Sequence, residues 1–232
     1  MRKIVVCLLS LMGASPLMAS GYDSDSSGNY IGLRYYPSAR HVYEADISGH
    51  NAFYSPTEIG ARTERRRRNM LAIAGGRSLA QYEIAGIVPR VEGELAQWDI
   101  DGGILCRDPA FGCISNSYAY AGMLNLYGDY RMVDSPYTGY VGIGMGLARF
   151  TVNETVPASS LTVIDHDTSF AISLMTGFLY HANETLDLDL GLKYMRFSEQ
   201  NYDVVGEIGR GLHTAVKGLG MTSLYMGLNY KF

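Results

Sequence analysis

The chain has 232 residues and a formal charge of −4 at pH 7, so it lacks the basic excess that is typical of nucleic-acid-binding proteins. Only 18% of its residues are charged, while glycine (27) and tyrosine (18) are abundant. After the N-terminal region no apolar run approaches the roughly 20 residues of a membrane-spanning helix. Such a chain can cross a membrane only as a closed barrel, which pairs every backbone group without water.

Residues 1–19 have the features of a secretory signal peptide. Arg2 and Lys3 precede an apolar run from Ile4 to Met12, and a stretch of small and helix-breaking residues, 13–16, then leads to Leu17-Met18-Ala19. Cleavage after Ala19 is expected. Residues 20–232 then form one outer-membrane β-barrel domain with 17 basic and 23 acidic residues, a formal charge of −6 (17 − 23). A retained helical anchor is the alternative, but the apolar run is short for it.

Eight segments of the remaining chain alternate between apolar residues on one face and small or polar residues on the other. The predicted strands are 30–37, 70–78, 84–98, 118–131, 137–150, 169–180, 186–194 and 224–232. Three short connections (80–83, 132–136, 181–184) alternate with four long ones (38–69, 99–117, 151–168, 198–222). This pattern predicts an all-β fold, an eight-stranded antiparallel up-and-down transmembrane β-barrel with short periplasmic turns and long extracellular loops.

The aromatic residues are predicted to form two girdles at the membrane interfaces. The girdle near the short connections contains Tyr130, Tyr137, Tyr180 and Phe232. The girdle near the long connections contains Tyr36, Trp98, Tyr118, Phe150, Phe170 and Tyr194.

If the apolar faces point to lipid, the opposite faces carry charged residues into the lumen. Eight strands leave only enough room for side chains, and isolated charges there are unfavourable. We therefore expect a paired network in a closed barrel, with a narrow channel as the alternative. The expected network consists of Arg34, Arg90, Glu92, Glu94, Asp129, Arg131, Asp187, Asp189, Lys193 and Lys231.

Three segments together resemble small outer-membrane barrels of the opacity-protein and OmpA-like type. They are 136–148 (PYTGYVGIGMGLA), 185–194 (TLDLDLGLKY) and 225–232 (YMGLNYKF). The resemblance implies a monomeric eight-stranded barrel with variable surface loops, in the bacterial outer membrane. It also implies insertion by the barrel-assembly machinery, which would recognise the terminal aromatic strand with Tyr230 and Phe232. It implies no catalytic residue.

Two features of the long connections suggest surface roles. Arg62, Arg65, Arg66, Arg67 and Arg68 lie just before the second predicted strand. Charge-assisted hydrogen bonds from such a cluster suit lipopolysaccharide phosphates, as a basic rim, or sulfated glycans of a host cell.

Cys106 and Cys113 are flanked by turn-forming residues, and in an oxidising compartment this pair is expected to close a local loop as a disulfide.

The tripeptide Asp165-His166-Asp167, followed by Ser169, raises the hypothesis of a hydrolase, because a carboxylate-oriented histidine can activate water or a serine. These residues are contiguous in one predicted loop, however, whereas an active site usually draws on several elements.

The five histidines show no ligand-like spacing, so no metal site and no cofactor are predicted. The sequence thus predicts a non-enzymatic, surface-exposed structural barrel with outer-membrane lipid and lipopolysaccharide as partners. Its long loops are the candidate contact region for a host or environmental ligand.

Overall fold

The computed structural model describes residues 28–49, 64–100, 114–156, 161–204 and 212–232. Ten strands lie in these ranges: β1 (Asn29–Gly49), β2 (Glu64–Ser78), β3 (Ile87–Ile100), β4 (Ile114–Ser115), β5 (Ser117–Arg131), β6 (Tyr137–Val156), β7 (Leu161–His181), β8 (Leu186–Phe197), β9 (Gln200–Val204) and β10 (Leu212–Lys231). One short 3₁₀ turn occupies Ala80–Tyr82. In these ranges, no helix is both long and apolar enough to cross a membrane.

Eight of the strands form a closed antiparallel barrel. The order around the wall is β1-β2-β3-β5-β6-β7-β8-β10, and β10 pairs with β1 to close it. The closing ladder runs from Tyr30 opposite Lys231 to Gly49 opposite Leu212, with register shifts after Tyr35 and Val42. The two short strands are additions, since β4 pairs with β6 and β9 pairs with β10. The predicted eight-stranded up-and-down barrel is therefore confirmed.

The alternation in the sequence corresponds to the two faces of the wall. On β6, Val141, Ile143 and Met145 are more than half exposed on the outside. The intervening glycines let lumen side chains approach the strand, because a Cβ on Gly144 would lie 2.1 Å from Asn125 Oδ1 and 2.5 Å from Ser173 Oγ. The outer face is the apolar band that a lipid bilayer requires.

The strands extend further at the long-connection end than the sequence pattern predicted. β1 continues to Gly49, β10 begins at Leu212, and the β6–β7 ladder runs without interruption to Val156 opposite Leu161. The apolar alternation ends before these extensions, because they carry polar residues such as Asn153 and Asp165. Backbone pairing does not need an apolar face, so the hydropathy pattern missed these parts of the ladders.

The third strand begins later than the sequence pattern predicted, because a hairpin turn precedes it. Ile84 and Ile87 exchange two backbone hydrogen bonds of 3.0 Å around Ala85 and Gly86. Both central residues have positive φ, 53° and 81°, as a two-residue hairpin turn requires. Residues 84–86 therefore belong to the turn, and β3 begins at Ile87 rather than at residue 84.

Candidate functional site in the barrel lumen

An arginine of β1 lies at the centre of the lumen and contacts carboxylates of two other strands. Arg34 is 1% exposed, and its Nη1 and Nη2 donate to the two carboxylate oxygens of Glu92 at 2.6 Å each. It also donates from Nη1 to Glu94 at 2.9 Å and from Nε to Asp189 at 3.2 Å. Bidentate pairing of this kind is the strongest geometry for a guanidinium and a carboxylate.

Further donors complete the bonding of these three carboxylates. Lys193 Nζ lies 2.5 Å from Glu94 Oε1, and the Tyr140 hydroxyl donates to Asp189 at 2.7 Å. Glu92 also accepts from Asn125 at 3.1 Å and from Tyr127 at 3.0 Å. We call Arg34, Glu92, Glu94, Asp189 and Lys193 the central ion cluster. Each of its charges is buried and paired, which is the condition for charges in a low-dielectric interior.

A second buried arginine lies between the central ion cluster and the short-turn end of the barrel. Arg90 donates from Nε and Nη2 to Asp129 at 2.7 and 3.1 Å, and from Nη1 to the Tyr30 hydroxyl at 2.8 Å. Its guanidinium carbon lies 4.0 Å from the ring centroid of Tyr127, a cation–π contact. Ion pairs and aromatic rings therefore fill the cross-section at this level.

The lumen opens at the short-turn end into a cavity of about 620 Å³. His181 bridges two strands there, because its Nδ1 lies 2.8 Å from Asp187 and its Nε2 lies 2.8 Å from the Thr138 hydroxyl. Lys231 Nζ contacts the same Asp187 oxygen at 2.9 Å. Polar residues thus line an accessible space at this end of the barrel.

The other half of the lumen is largely apolar. Trp98, Phe150 and Phe197 pack with ring centroids 5.2 to 6.1 Å apart, and all three are at most 4% exposed. We call these three residues the aromatic cluster. Met195 and Met221, both fully buried, belong to the same core. The lumen therefore consists of a charged half towards the short turns and an apolar half towards the long connections.

Comparison with solved structures identifies this architecture. The chain is similar to the outer membrane protein OprG from Pseudomonas aeruginosa (TM-score 0.57, 17% identity, 89% of this chain and 96% of that one). It is also similar to Neisserial surface protein A (0.50, 18%, 88% and 97%) and to a major outer membrane protein from Thermus thermophilus (0.52, 13%, 84% and 99%). The fold is that of small outer-membrane β-barrels. At these identities the likeness describes the fold alone.

Sequence comparison gives relatives whose names describe no function. No family model matches the chain. Uncharacterized proteins of Brucella abortus and Brucella suis are 29% identical over 140 residues, which cover 51% of this chain and 49% of each relative. The chain thus spans about half the length of the curated relatives it matches.

Most of the charged residues expected in the lumen lie there. Arg34, Arg90, Glu92, Glu94, Asp129, Asp187, Asp189 and Lys193 are buried. Lys231, near the end of β10, is half-buried and lines the cavity. The expectation was wrong for Arg131, which is exposed at the last position of β5 and lines the mouth of the cavity.

Sequence reasoning missed the tyrosines that bond this network. Tyr30, Tyr127, Tyr140 and Tyr225 are all buried in the lumen, and the hydroxyls of Tyr140 and Tyr225 hydrogen-bond to each other. Tyr30, Tyr127 and Tyr225 each share a strand face with a charged residue that was assigned to the lumen, and Tyr140 lies on the β6 face opposite the outward Val141. The signal that could have found them is the period of two along each strand, because it assigns tyrosines as well as charged residues to the inward or the outward face.

The alternation of inward and outward residues along each strand also corrects the predicted aromatic girdle near the long connections. Tyr36, Trp98 and Phe150 were expected at the membrane interface, but they are at most 2% exposed and point into the lumen. Phe170 and Tyr194 do face outwards, at 50% and 41% exposure. The three buried rings lie at even positions of their strands, on the same face as the lumen residues before them.

Several predicted features lie outside the described residues. These are Arg62, Cys106, Cys113 and the predicted signal peptide. The backbone of Arg65, Arg66, Arg67 and Arg68 belongs to β2 and pairs with residues 39–42 of β1, so these arginines are in a strand and not before it. Their side chains are also outside the described part. Tyr230 and Phe232 face outwards with exposures of 54% and 71%.

The tripeptide Asp165-His166-Asp167 lies in β7, and its carboxylates bond to the backbone. Asp165 accepts from the N–H of Asp203 at 3.1 Å, and Asp167 accepts from the N–H of Asn201 at 2.9 Å. Both donors are on β9, which pairs with β10 on its other edge. The two aspartates therefore bond to the edge of β9 that faces away from β10, and His166 between them is exposed.

Proposed function

We propose that the protein is a non-enzymatic barrel of the bacterial outer membrane, of the opacity-protein and OmpA-like type, which presents its long connections at the cell surface. The observation that carries this proposal is the combination of an apolar outer face with a lumen that buried side chains fill, apart from the cavity at the short-turn end. The apolar face suits a bilayer, and the filled lumen leaves the surface connections as the contact region. Neisserial surface protein A, which has a similar fold, is named as a surface protein, and we propose the same location for this chain.

The experiment that tests this proposal combines two measurements on cells. Outer-membrane fractions, unheated and boiled, are compared on a gel, and intact cells are treated with a protease. We expect a boiling-dependent shift in migration and cleavage within the long connections 50–63 and 101–113. Absence of both effects would contradict the localisation and the topology.

The arginine cluster supports a narrower proposal, a basic rim that contacts lipopolysaccharide phosphates. Replacement of Arg62, Arg65, Arg66, Arg67 and Arg68 by alanine should weaken binding of the purified protein to lipopolysaccharide micelles, with a loss that shrinks at high salt. Arg149→Ala and Arg196→Ala, on the outer face near the same end, provide the matched control. Loss of whole-cell heparin binding, with lipopolysaccharide binding intact, would favour a sulfated host glycan instead.

A narrow channel is the second candidate, and the cavity at the short-turn end is the observation that favours it. Two barriers oppose it, since both the central ion cluster and the aromatic cluster would have to open. Planar-bilayer recordings of the wild-type protein should show no regular conductance steps. Regular conductance steps in the wild-type protein, with a larger conductance in Trp98→Ala, would establish the channel.

The side chains of Thr138, His181 and Asp187 are hydrogen-bonded in series, in the hydroxyl, imidazole and carboxylate order of a hydrolase. Its geometry is compatible with a structural role, because Asp187 also bonds Lys231 and the three residues link β6, β7 and β8. We expect the purified protein to react with no fluorophosphonate probe. Labelling that disappears in both Thr138→Ala and His181→Ala would overturn the non-enzymatic proposal.

Assembly and the loop disulfide are separate proposals. Phe232→Ser should lower the folded fraction in the outer membrane if the barrel-assembly machinery recognises the terminal aromatic residue, whereas Tyr230→Phe, which keeps an aromatic ring, should not. Alkylation with and without reductant, followed by mass spectrometry, tests the bond between Cys106 and Cys113. Size analysis of the purified barrel tests the monomer.

A further inference from the structure

A single charged side chain lies on the apolar outer face near the end of β2. Arg77 faces outwards and is exposed, and its guanidinium has no hydrogen-bond or ion-pair partner among the described residues. The outward residues beside it in the ladders, Asn29 of β1 and Val91 of β3, are uncharged. Arg77 is therefore an unpaired cation on an apolar surface, and an anion is the group that would pair with it.

Arg77 lies at the level of one membrane interface. It is the next-to-last residue of β2, at the short-turn end, and it is opposite Asn29, whose carbonyl accepts from the N–H of Phe232. Phe232 and Tyr230 face outwards there, with exposures of 71% and 54%, as members of the aromatic girdle. Lipid phosphates lie at this level of a bilayer, so they are within reach of the guanidinium.

An apolar groove begins next to Arg77 and lies deeper in the apolar band. Its floor is the backbone of Gly75 on β2 and Gly93 on β3, which are paired with each other and face outwards. Ile31 and Leu124 flank it in the same ladder, with exposures of 57% and 65%. We call this feature the outer groove. Gly75 is two residues from Arg77, which is about 7 Å along the strand.

The folded chain does not itself require glycine in the outer groove. A Cβ on Gly75 would lie 3.9 Å from the carbonyl oxygen of Tyr30, and one on Gly93 would lie 4.0 Å from that of Gly75. Neither glycine has a positive φ. The inward Gly142 and Gly144 differ, because a Cβ there would lie 2.4 and 2.1 Å from lumen side chains. A strand glycine without an internal reason often marks the close approach of another molecule.

A second copy of this chain fits the surface poorly. In a symmetric pair with the outer grooves in contact, the two Arg77 side chains would lie near each other, and like charges repel strongly in a low-dielectric medium. No outward residue that borders the outer groove in the described strands is acidic, so no ion pair would compensate. A phospholipid, in contrast, combines an anion and a hydrocarbon chain in one molecule.

We propose that Arg77 and the outer groove bind one anionic phospholipid of the leaflet next to the short turns. The Arg77 guanidinium donates to the lipid phosphate, and one acyl chain lies on the backbone of Gly75 and Gly93. The chain gains dispersion contacts there that bulky side chains would prevent. This site is additional to the proposed surface role of the long connections, and under the topology proposed above its leaflet is the periplasmic one.

Nanodiscs of two lipids test the proposal. The purified barrel is reconstituted in phosphatidylcholine in which increasing fractions are replaced by phosphatidylglycerol with the same acyl chains, and amide NMR shifts are followed. We expect shifts at Gly75, Arg77 and Gly93 that saturate while phosphatidylglycerol is still the minor lipid. Glycerol 3-phosphate, which has the phosphate but no acyl chain, should cause no saturable shift. Shifts that rise linearly with the phosphatidylglycerol fraction, or that glycerol 3-phosphate reproduces, would overturn the proposal.

Two variants and two controls connect the binding to this surface. Arg77→Gln should weaken phosphatidylglycerol binding about tenfold, and Gly93→Leu should abolish the saturable shifts by filling the outer groove. Gly139→Leu, at an outward glycine of β6 whose Cβ would lie 3.8 Å from Met132, and Arg149→Gln, at the opposite end, are the matched controls and should bind as the wild type does. Boiling-dependent migration verifies that each variant is folded. Undiminished binding by folded Arg77→Gln or Gly93→Leu would exclude this site.

The titration also separates this proposal from the proposed function. Both leaflets of the nanodisc have the same composition, so binding does not depend on orientation or on the surface connections. A barrel that shows no saturable shift but passes the gel and protease experiment would refute only the lipid site. A barrel that binds phosphatidylglycerol but is absent from the outer membrane would refute only the surface role.

Discussion

Replacement of Arg34 by methionine tests whether the central ion cluster stabilises the barrel. Methionine keeps an unbranched side chain of similar reach, but it removes the two hydrogen bonds to Glu92, one to Glu94 and one to Asp189. Three buried carboxylates then lose their shared cation. We expect the variant to insert into lipid vesicles but to unfold at a lower urea concentration.

The size of the effect follows from the bonds that remain. Removal of one partner of a buried ion pair typically costs about 3–5 kcal/mol. Here Glu94 keeps Lys193, and Asp189 keeps the Tyr140 hydroxyl. Because these carboxylates stay hydrogen-bonded, we expect the lower end, about 3 kcal/mol. With a urea dependence of about 1–3 kcal/mol per molar, the unfolding midpoint should fall by about 1–3 M.

The single tryptophan of the chain provides the assay. Trp98 is 2% exposed in the lumen, so its fluorescence should shift to longer wavelength when the barrel unfolds from vesicles in urea. Arg149→Met, an exposed arginine, is the matched control and should change the free energy of unfolding by less than about 0.5 kcal/mol. A double-mutant cycle with Glu92→Gln should give a coupling of about 1–3 kcal/mol. An unchanged midpoint in Arg34→Met, or no coupling, would refute the stabilising role.

Two further predictions concern close packing and the edge of β9. Gly76→Ala should destabilise the barrel by about 1–3 kcal/mol in the same urea assay, because its Cβ would lie 2.4 Å from the hydroxyl of Tyr30. Gly75→Ala, whose nearest neighbour would be 3.9 Å away, should be close to neutral, and equal effects of the two changes would contradict the argument. Asp167→Ala should speed hydrogen exchange of the β9 backbone N–H that its carboxylate accepts by about tenfold. His166→Ala should not, and exchange that is unaltered in both would mean that the carboxylate does not hold β9.

The period of two in the sequence predicted the fold and most of the lumen residues. Arg90, Glu92 and Glu94 lie on one face of β3, and their parity places them inside without any knowledge of contacts. Trp98 has the same parity and was nevertheless assigned to the girdle, because tryptophans are frequent at membrane interfaces. The general preference of the residue type was thus weaker evidence than the local period of the strand.

The partners within the lumen could not be predicted from the sequence. Arg34 and Asp189 are separated by 155 positions, and their contact exists only because β10 closes the barrel against β1. Which inward residues share a level depends on the stagger between strands, and no single strand encodes that stagger. The exposed position of Arg131 has a similar cause, since the level at which the wall ends is set by the neighbouring turns.

The contacts of the central ion cluster suggest why the lumen contains charges at all. Well-packed apolar residues often stabilise an interior as well as a buried ion pair does. Arg34 on β1, however, reaches past β2 to β3 and past β10 to β8. A slip of β1 by two residues would keep the alternation of faces but would put Gly32 or Tyr36 at the level of Glu92 and Asp189. Only one register of β1 therefore pairs Arg34 with these carboxylates. The inward Ala72 and Ala74 of β2 are small and uncharged, so they would fit several registers. We therefore infer that the cluster selects the stagger with which the barrel closes, and that the largely apolar half of the lumen packs on this register.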